Sequence, residues 1–111
     1  MSAEAFFPNL HILLHLLVPG LVAYAFFRDQ WKKVWLILCL TMVVDLDHLL
    51  ATPIYQPGRC SIGFHPLHTA PAIAVYFVMT LIPKTRVVGL GLVIHMALDL
   101  LDCFTMRYFG Y

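Results

Sequence analysis

VWLILCLTMVVDLDHLL, residues 34–50, runs eleven residues without a charge and then sets Asp45, Asp47 and His48 within four. The apolar part has the character of a membrane-crossing helix, so three ionisable groups fall within or at the rim of hydrocarbon. Such groups are costly at that depth and mark function by default.

The rest of the chain supplies the same setting. Of 111 residues 61% are hydrophobic and 12% charged, against about 45–50% and 25% in ordinary soluble domains. A lipid-facing exterior demands that shift. Four apolar segments emerge between the polar breaks, at about 10–27, 34–51, 68–82 and 87–104, each near the roughly 20 helical residues that cross a bilayer. Pro53 and Pro83 stop two of them, Pro66 suits the first turn of the third, and Pro19–Gly20 predicts a kink in the first. No Lys or Arg precedes the first segment, so it reads as a retained span rather than a cleaved leader. A net charge of +1 without a basic stripe excludes nucleic acid as the expected partner.

The connections differ in charge. Arg28, Lys32 and Lys33 join the first two spans, and Lys84 and Arg86 the last two, whereas the opposite side holds Arg59 and Arg107. The positive-inside rule then places both termini and the 53–67 loop outside. The expected architecture is all-α: a four-helix transmembrane bundle, one integral-membrane domain over 1–111, N-out and C-out.

Depth can be counted from the basic ends at about 1.5 Å per residue. Asp45 then lies roughly 18 Å up, His15 and Asp99 roughly 20 Å, His95 roughly 14 Å and His68 roughly 24 Å. All six histidines and four of the five aspartates fall in the outer half of the bundle. Helical phase agrees with depth. His11/His15 and His95/Asp99 are spaced i,i+4, Asp45/His48 and His65/His68 i,i+3, so each pair shares a face of its helix. Carboxylates and imidazoles converging from facing helices are how bundles hold metals. The candidate ligands are Asp45, His48, His65, His68, His95, Asp99 and His15. Seven exceed one tetrahedral ion, which points to two. Mixed N/O donors suit zinc, manganese or iron. Two such ions would polarise a substrate oxygen and activate water.

DLDH at 45–48, FHPLHT at 64–69 and HMALDLLD at 95–102 resemble, in order, the PD-x-DH, HRG-x-THS and H-x-x-x-D segments of the membrane-bound, metal-dependent hydrolases described as LexA-regulated inner-membrane proteins. Val44 stands where that pattern has proline, and His65-x-x-His68 is two residues shorter. The family is in turn similar to zinc-dependent phospholipase C. The resemblance implies a bacterial inner-membrane hydrolase acting on a phosphoester, a lipid headgroup included. It assigns Asp45, Asp47 and His48 to the first motif, His65 and His68 to the second, His95 and Asp99 to the third.

Several residues admit two roles. At 100° per residue Asp47 lies about 200° from Asp45, so it is either a ligand or a group that orients a ligand imidazole; as a free carboxylate it is also the expected proton acceptor, the catalytic residue. His11 reads as an interfacial or hydrogen-bonding histidine, His15 as that or a ligand, and Asp102 as a group supporting a ligand or a helix-end polar residue. Arg59 is the candidate substrate-binding cation, or else a solvated loop charge. Cys60 and Cys103 share the oxidising side, as a disulfide pinning the loop or as two separate thiols. The expected function is outward-facing hydrolysis of a phosphoester through a di-metal-activated water. The alternative is a metal-binding or metal-transport membrane protein without hydrolytic activity.

Overall fold

The computed structural model describes residues 2–54, 56 and 58–110, which are helix or loop with no strand. Four α-helices frame it: α1 Ala3–Phe26, α2 Trp31–Leu40, α3 Ala70–Leu81 and α4 Arg86–Phe109. Two of them, α1 over Ala5–Phe26 and α4, are long and apolar enough to cross a membrane. Both extend past the apolar segments expected for them. In α4 the helix runs on until Gly110, whose φ of 71° turns the chain left-handed while its N–H donates to the Met106 carbonyl.

The other two expected spans are not single α-helices. After ten residues α2 tightens into a 3₁₀ helix, Thr41–Leu50. The twelve-residue α3 is preceded by one 3₁₀ turn, Pro66–His68. Pro66 therefore opens that short turn, and Pro71 takes the place expected for it in the first turn of the third helix.

Burial records the change of pitch. Along α2 the buried positions are Val34 and Leu38, and the next is Thr41, steps of four and three as an α-helix requires. From there they fall at Thr41, Val44 and Asp47. Met42, Asp45 and His48 form a half-buried row, and Val43, Leu46 and Leu49 an exposed one. At three residues per turn, i and i+3 eclipse, so each row keeps one neighbourhood along its whole length.

Small residues bring the helices close. A Cβ on Gly91 of α4 would meet the Thr41 side chain at 2.7 Å, and one on Gly89 would meet the Met79 and Thr80 backbone of α3 at 2.9 Å. The Trp35 indole lies across the Pro19–Gly20 turn of α1 and donates to the Leu16 carbonyl at 2.8 Å. A neighbouring helix thus covers the backbone that proline loosens. One apolar cluster gathers Ala23, Val34 and Leu38 with Trp31 and Trp35; another gathers Val44, Tyr76, Leu92 and Met96. The loop before Pro66 is fastened to both sides. Ile62 packs on the second cluster, and a Cys60–Cys103 disulfide, Cα–Cα 5.0 Å, ties the loop to α4.

Candidate metal centre

Four elements deliver the polar residues to one place. α1 carries His11 and His15, the 3₁₀ helix carries Asp45, Asp47 and His48, the Pro66–His68 turn carries His68, and α4 carries His95 and Asp99. Asp99 sits at the centre. Its Oδ2 lies 2.9 Å from His68 Nε2 and 3.1 Å from His95 Nε2. Its Oδ1 lies 3.0 Å from His11 Nε2 and 3.2 Å from His15 Nε2. On the first side Asp45 Oδ1 closes the group, 2.9 Å from His95 Nε2 and 3.2 Å from His68 Nε2. Two nests result, Asp45–His68–His95–Asp99 and His11–His15–Asp99, with one carboxylate common to both.

Close approach here is only partly hydrogen bonding. His95 Nε2 and Asp45 Oδ1 make one at 2.9 Å, whereas His15 Nε2, His68 Nε2 and Asp99 Oδ2, and on the far side of its ring His95 Nδ1, are buried without one. Buried polar atoms are nearly always satisfied, so His68 Nε2 and Asp99 Oδ2 in one nest, and His15 Nε2 in the other, ask for something between the groups that face each other there. A cation answers: it takes lone pairs from carboxylate oxygens and neutral imidazoles at the same time. The donor set therefore fits a divalent metal.

The far sides of the rings support that reading. His15 Nδ1–H donates to the His11 carbonyl at 2.8 Å, and His68 Nδ1–H donates to Asp47 Oδ2 at 2.9 Å. Each bond spends the Nδ1 proton away from the nest and leaves Nε2 as a lone pair facing in, the usual backing of a metal-ligating histidine. Asp47 is almost wholly committed to such backing. Its Oδ2 also accepts the Leu67 N–H at 2.8 Å, and its Oδ1 accepts from His48 Nδ1 at 3.0 Å. Of the roles expected for Asp47, the geometry provides that of orienting an imidazole; as a proton acceptor it would first have to release one of these donors.

His48 and His65 stand beside the nests. The two rings stack at 3.7 Å between centroids, 24° from parallel, and with Asp47 form a third cluster. His48 Nδ1 is 3.7 Å from Asp45 Oδ1, and its Nε2 is 3.5 Å from Ser61 Oγ. Burial holds the His65 imidazole below the ordinary histidine range, and the neighbouring His48 adds to that shift. Of the seven expected ligands, five (Asp45, His68, His95, Asp99 and His15) line the two nests, whereas His48 and His65 lie one layer outward.

A cavity of about 220 Å³ opens above this floor, lined by His11, Asp45, His48 and Asp99 below and by Gln56, Arg59 and Ser61 from the loop. Arg59, expected to bind substrate, is at its wall. Asp102 also lines the cavity, with its Oδ1 3.9 Å from His11 Nδ1. Sequence reasoning undervalued His11. Its i,i+4 spacing to His15 was the available signal, but its place near the outer end of α1 suited an interface equally well. Ser61 and Gln56 were missed outright, since loop residues carry no periodicity that would aim them.

No curated protein and no solved structure gives a significant match to the chain. Residues 6–106 match the model of a family of unknown function, DUF6122, and the chain belongs to that family.

Proposed function

We propose that the protein is a membrane-embedded, metal-dependent phosphoester hydrolase with a two-metal centre on the outer side of a bacterial inner membrane. One observation carries the reading: Asp99 turns each of its oxygens to a different histidine pair, as a carboxylate bridging two cations does. Asp45, His68, His95 and Asp99 would hold one ion, and His11, His15 and Asp99 the other. Bound divalent ions supply Lewis acidity toward phosphoryl oxygens and a water of lowered pKa.

The residues around them do the rest. Asp47 fixes the ring orientation of His68, and the His11 carbonyl that of His15. Arg59 offers a forked cation to an anionic group entering the cavity. Ser61 and Gln56 add polar contacts on the same wall. A metal kept only as a staple between helices needs no cavity, so the open space above Asp45 and Asp99 favours catalysis over that reading. Transport needs a ligand-lined path through the bundle. Below the nests lie Ala23, Val34 and Leu38 with Trp31, Trp35 and Leu90, which offer a dication nothing.

Membrane residence is supported by the inverted distribution of polarity. His15, Asp47, His65, His68, His95 and Asp99 are buried, while Leu21, Phe26, Leu36, Leu40, Leu50, Leu81 and Phe104 are more than half exposed. Only 11% of the spanning window of α1 is buried, so its outer faces want lipid. Trp31–Leu50, α2 plus its 3₁₀ continuation, measures roughly 35 Å at about 1.5 and 2.0 Å per residue, enough to cross. With α3 extended by Pro66–His68, four spans and an N-out, C-out orientation follow from the basic 28–33 and 84–86 connections.

The test is element analysis of detergent-purified protein followed by assay against phosphomonoesters and phosphodiesters. Two ions per chain and hydrolysis of at least one ester class are expected. Stoichiometric metal without hydrolysis across the panel would sink the enzymatic reading.

A further inference from the structure

Loop residues 58–67 are held by two unequal anchors. The far half is secured several times over: Gly63 N–H donates to the His68 carbonyl at 3.0 Å, Leu67 N–H donates to Asp47 Oδ2, and Ile62 packs against the Val44–Met96 cluster. The near half, Gly58–Cys60, meets α4 through the Cys60–Cys103 disulfide. Arg59 is the residue next to that bridge. Its Nη2–H donates to the Ile54 carbonyl at 2.8 Å, and its guanidinium lies 4.5 Å over the Phe64 ring. These contacts occupy one N–H and one face of the group, leaving other donors of the fork for a ligand.

The cavity wall needs such a cation. Asp45, Asp99 and Asp102 all line it, and among the described lining residues Arg59 is the one permanent positive charge. With ions held in the nests the floor itself would draw an anion, and Arg59 is the protein group at the wall placed to orient its oxygens. We infer that Arg59 is the anion-binding arm of the cavity and that the Cys60–Cys103 disulfide sets its position, so that breaking the bridge weakens the binding of a phosphate group while the metal nests stay intact. The inference rests on the two-metal reading for its floor. To Arg59, already placed at the cavity wall, it adds the cross-link that positions it. The ligand chemistry is a tetrahedral oxyanion, whether free or at the head of an ester, since a bidentate fork recognises the oxygens alone.

Inorganic phosphate is the probe, titrated calorimetrically into metal-loaded protein whose metal content is measured in the same samples. Arg59→Gln is expected to weaken phosphate binding about tenfold or more, as loss of a charge-assisted pair does. Cys60→Ser/Cys103→Ser should weaken it severalfold at unchanged metal content. Combined with Arg59→Gln it should add little, because both changes act through the same group. A cysteine pair variant that binds phosphate as tightly as the parent overturns the inference, and so does a combined loss equal to the product of the separate losses. If the serine variant does not accumulate, the titration is made on the parent protein before and after reduction with a dithiol, and again after reoxidation; affinity must fall and return. Absence of metal in the parent protein defeats the two-metal reading instead, so the two failures are told apart.

Discussion

The two halves of Trp31–Leu50 obey different pitches and do different work. In α2 the buried side chains are Val34 and Leu38, in apolar contact with Ala23 of α1. In the 3₁₀ half they are Thr41, Val44 and Asp47, and the neighbouring row presents Asp45 and His48 to the cavity. Had the α pitch continued, the inward positions after Thr41 would be 45 and 48 together, with Asp47 turned away. Tightening the helix lets one strip of chain serve two layers. Asp45 reaches a metal nest, while Asp47 reaches behind His68 to hold its ring. Long 3₁₀ runs are uncommon and often functional. Here the reason is positional.

The largest contrast between the halves should come from deletions. Asp99→Ala removes the carboxylate shared by both nests, and metal content measured by element analysis should fall from two ions per chain to none, with activity lost. Leu38→Ala, in the apolar half and 1% exposed, should cost about 2–5 kcal/mol of stability through its cavity yet keep both ions below its melting temperature. If Leu38→Ala also strips the metal, the halves are not separable.

Metal removal tests the same division by another route. A ligand that binds only the folded state stabilises by RT ln(1 + [L]/Kd), about 2.7 kcal/mol at a hundredfold excess over Kd. Chelation should therefore lower the melting temperature of the parent protein, and re-added zinc or manganese should restore it. The same treatment of Asp99→Ala should change nothing. A chelator response that survives in that variant would place the stabilising ion elsewhere.

Asp47→Ala should have a smaller effect, about 10–100-fold in metal affinity or activity, as expected for a group that orients a ligand ring rather than ligating. Asp47→Asn keeps an acceptor for His68 Nδ1–H and should recover part of it. A loss as complete as that of Asp99→Ala would make Asp47 a ligand, the other role its sequence position allowed.

Much of this was legible in the residues, and the illegible part has a physical cause. Charge-free runs and basic connections located the four apolar segments but not the helix ends, and depth counting put His15, Asp45, His68, His95 and Asp99 together in the outer half of the bundle. The same counting could not separate ligand from support, since that depends on azimuth, and 100° per residue was the wrong step after Thr41. The pitch was visible in principle: Val43, Leu46 and Leu49 are apolar at every third place, with Asp45/His48 and Val44/Asp47 in the rows between. A tightened helix is rare enough that ten residues of period three do not announce it. His48 and His65 were expected among the ligands on i,i+3 spacing and depth, and they meet with Asp47 in a cluster that could itself hold an ion, one layer outward of the two nests. The cavity wall of Gln56, Arg59 and Ser61 depends on where the disulfide draws the loop, and no periodicity encodes that.

The smallest effect bears on pitch alone. Single cysteines carrying a nitroxide, introduced at Val43, Leu46 and Leu49 with Cys39 replaced by serine, report exposure to lipid-dissolved oxygen. At 120° per residue all three lie on one outward line, consistent with their exposures of 63, 61 and 64%, and they should give matching accessibilities. At 100° per residue Leu49 would lie about 240° from Val43, facing the bundle, and its accessibility would fall well below that of the other two. None of the three positions touches a nest, so metal content should remain at two ions in every labelled variant. Equal accessibility with metal retained assigns the 3₁₀ row to the working protein. A drop at Leu49 alone would return Asp45 and Asp47 to an α-helix, and with it Asp47 would lose its reach to His68.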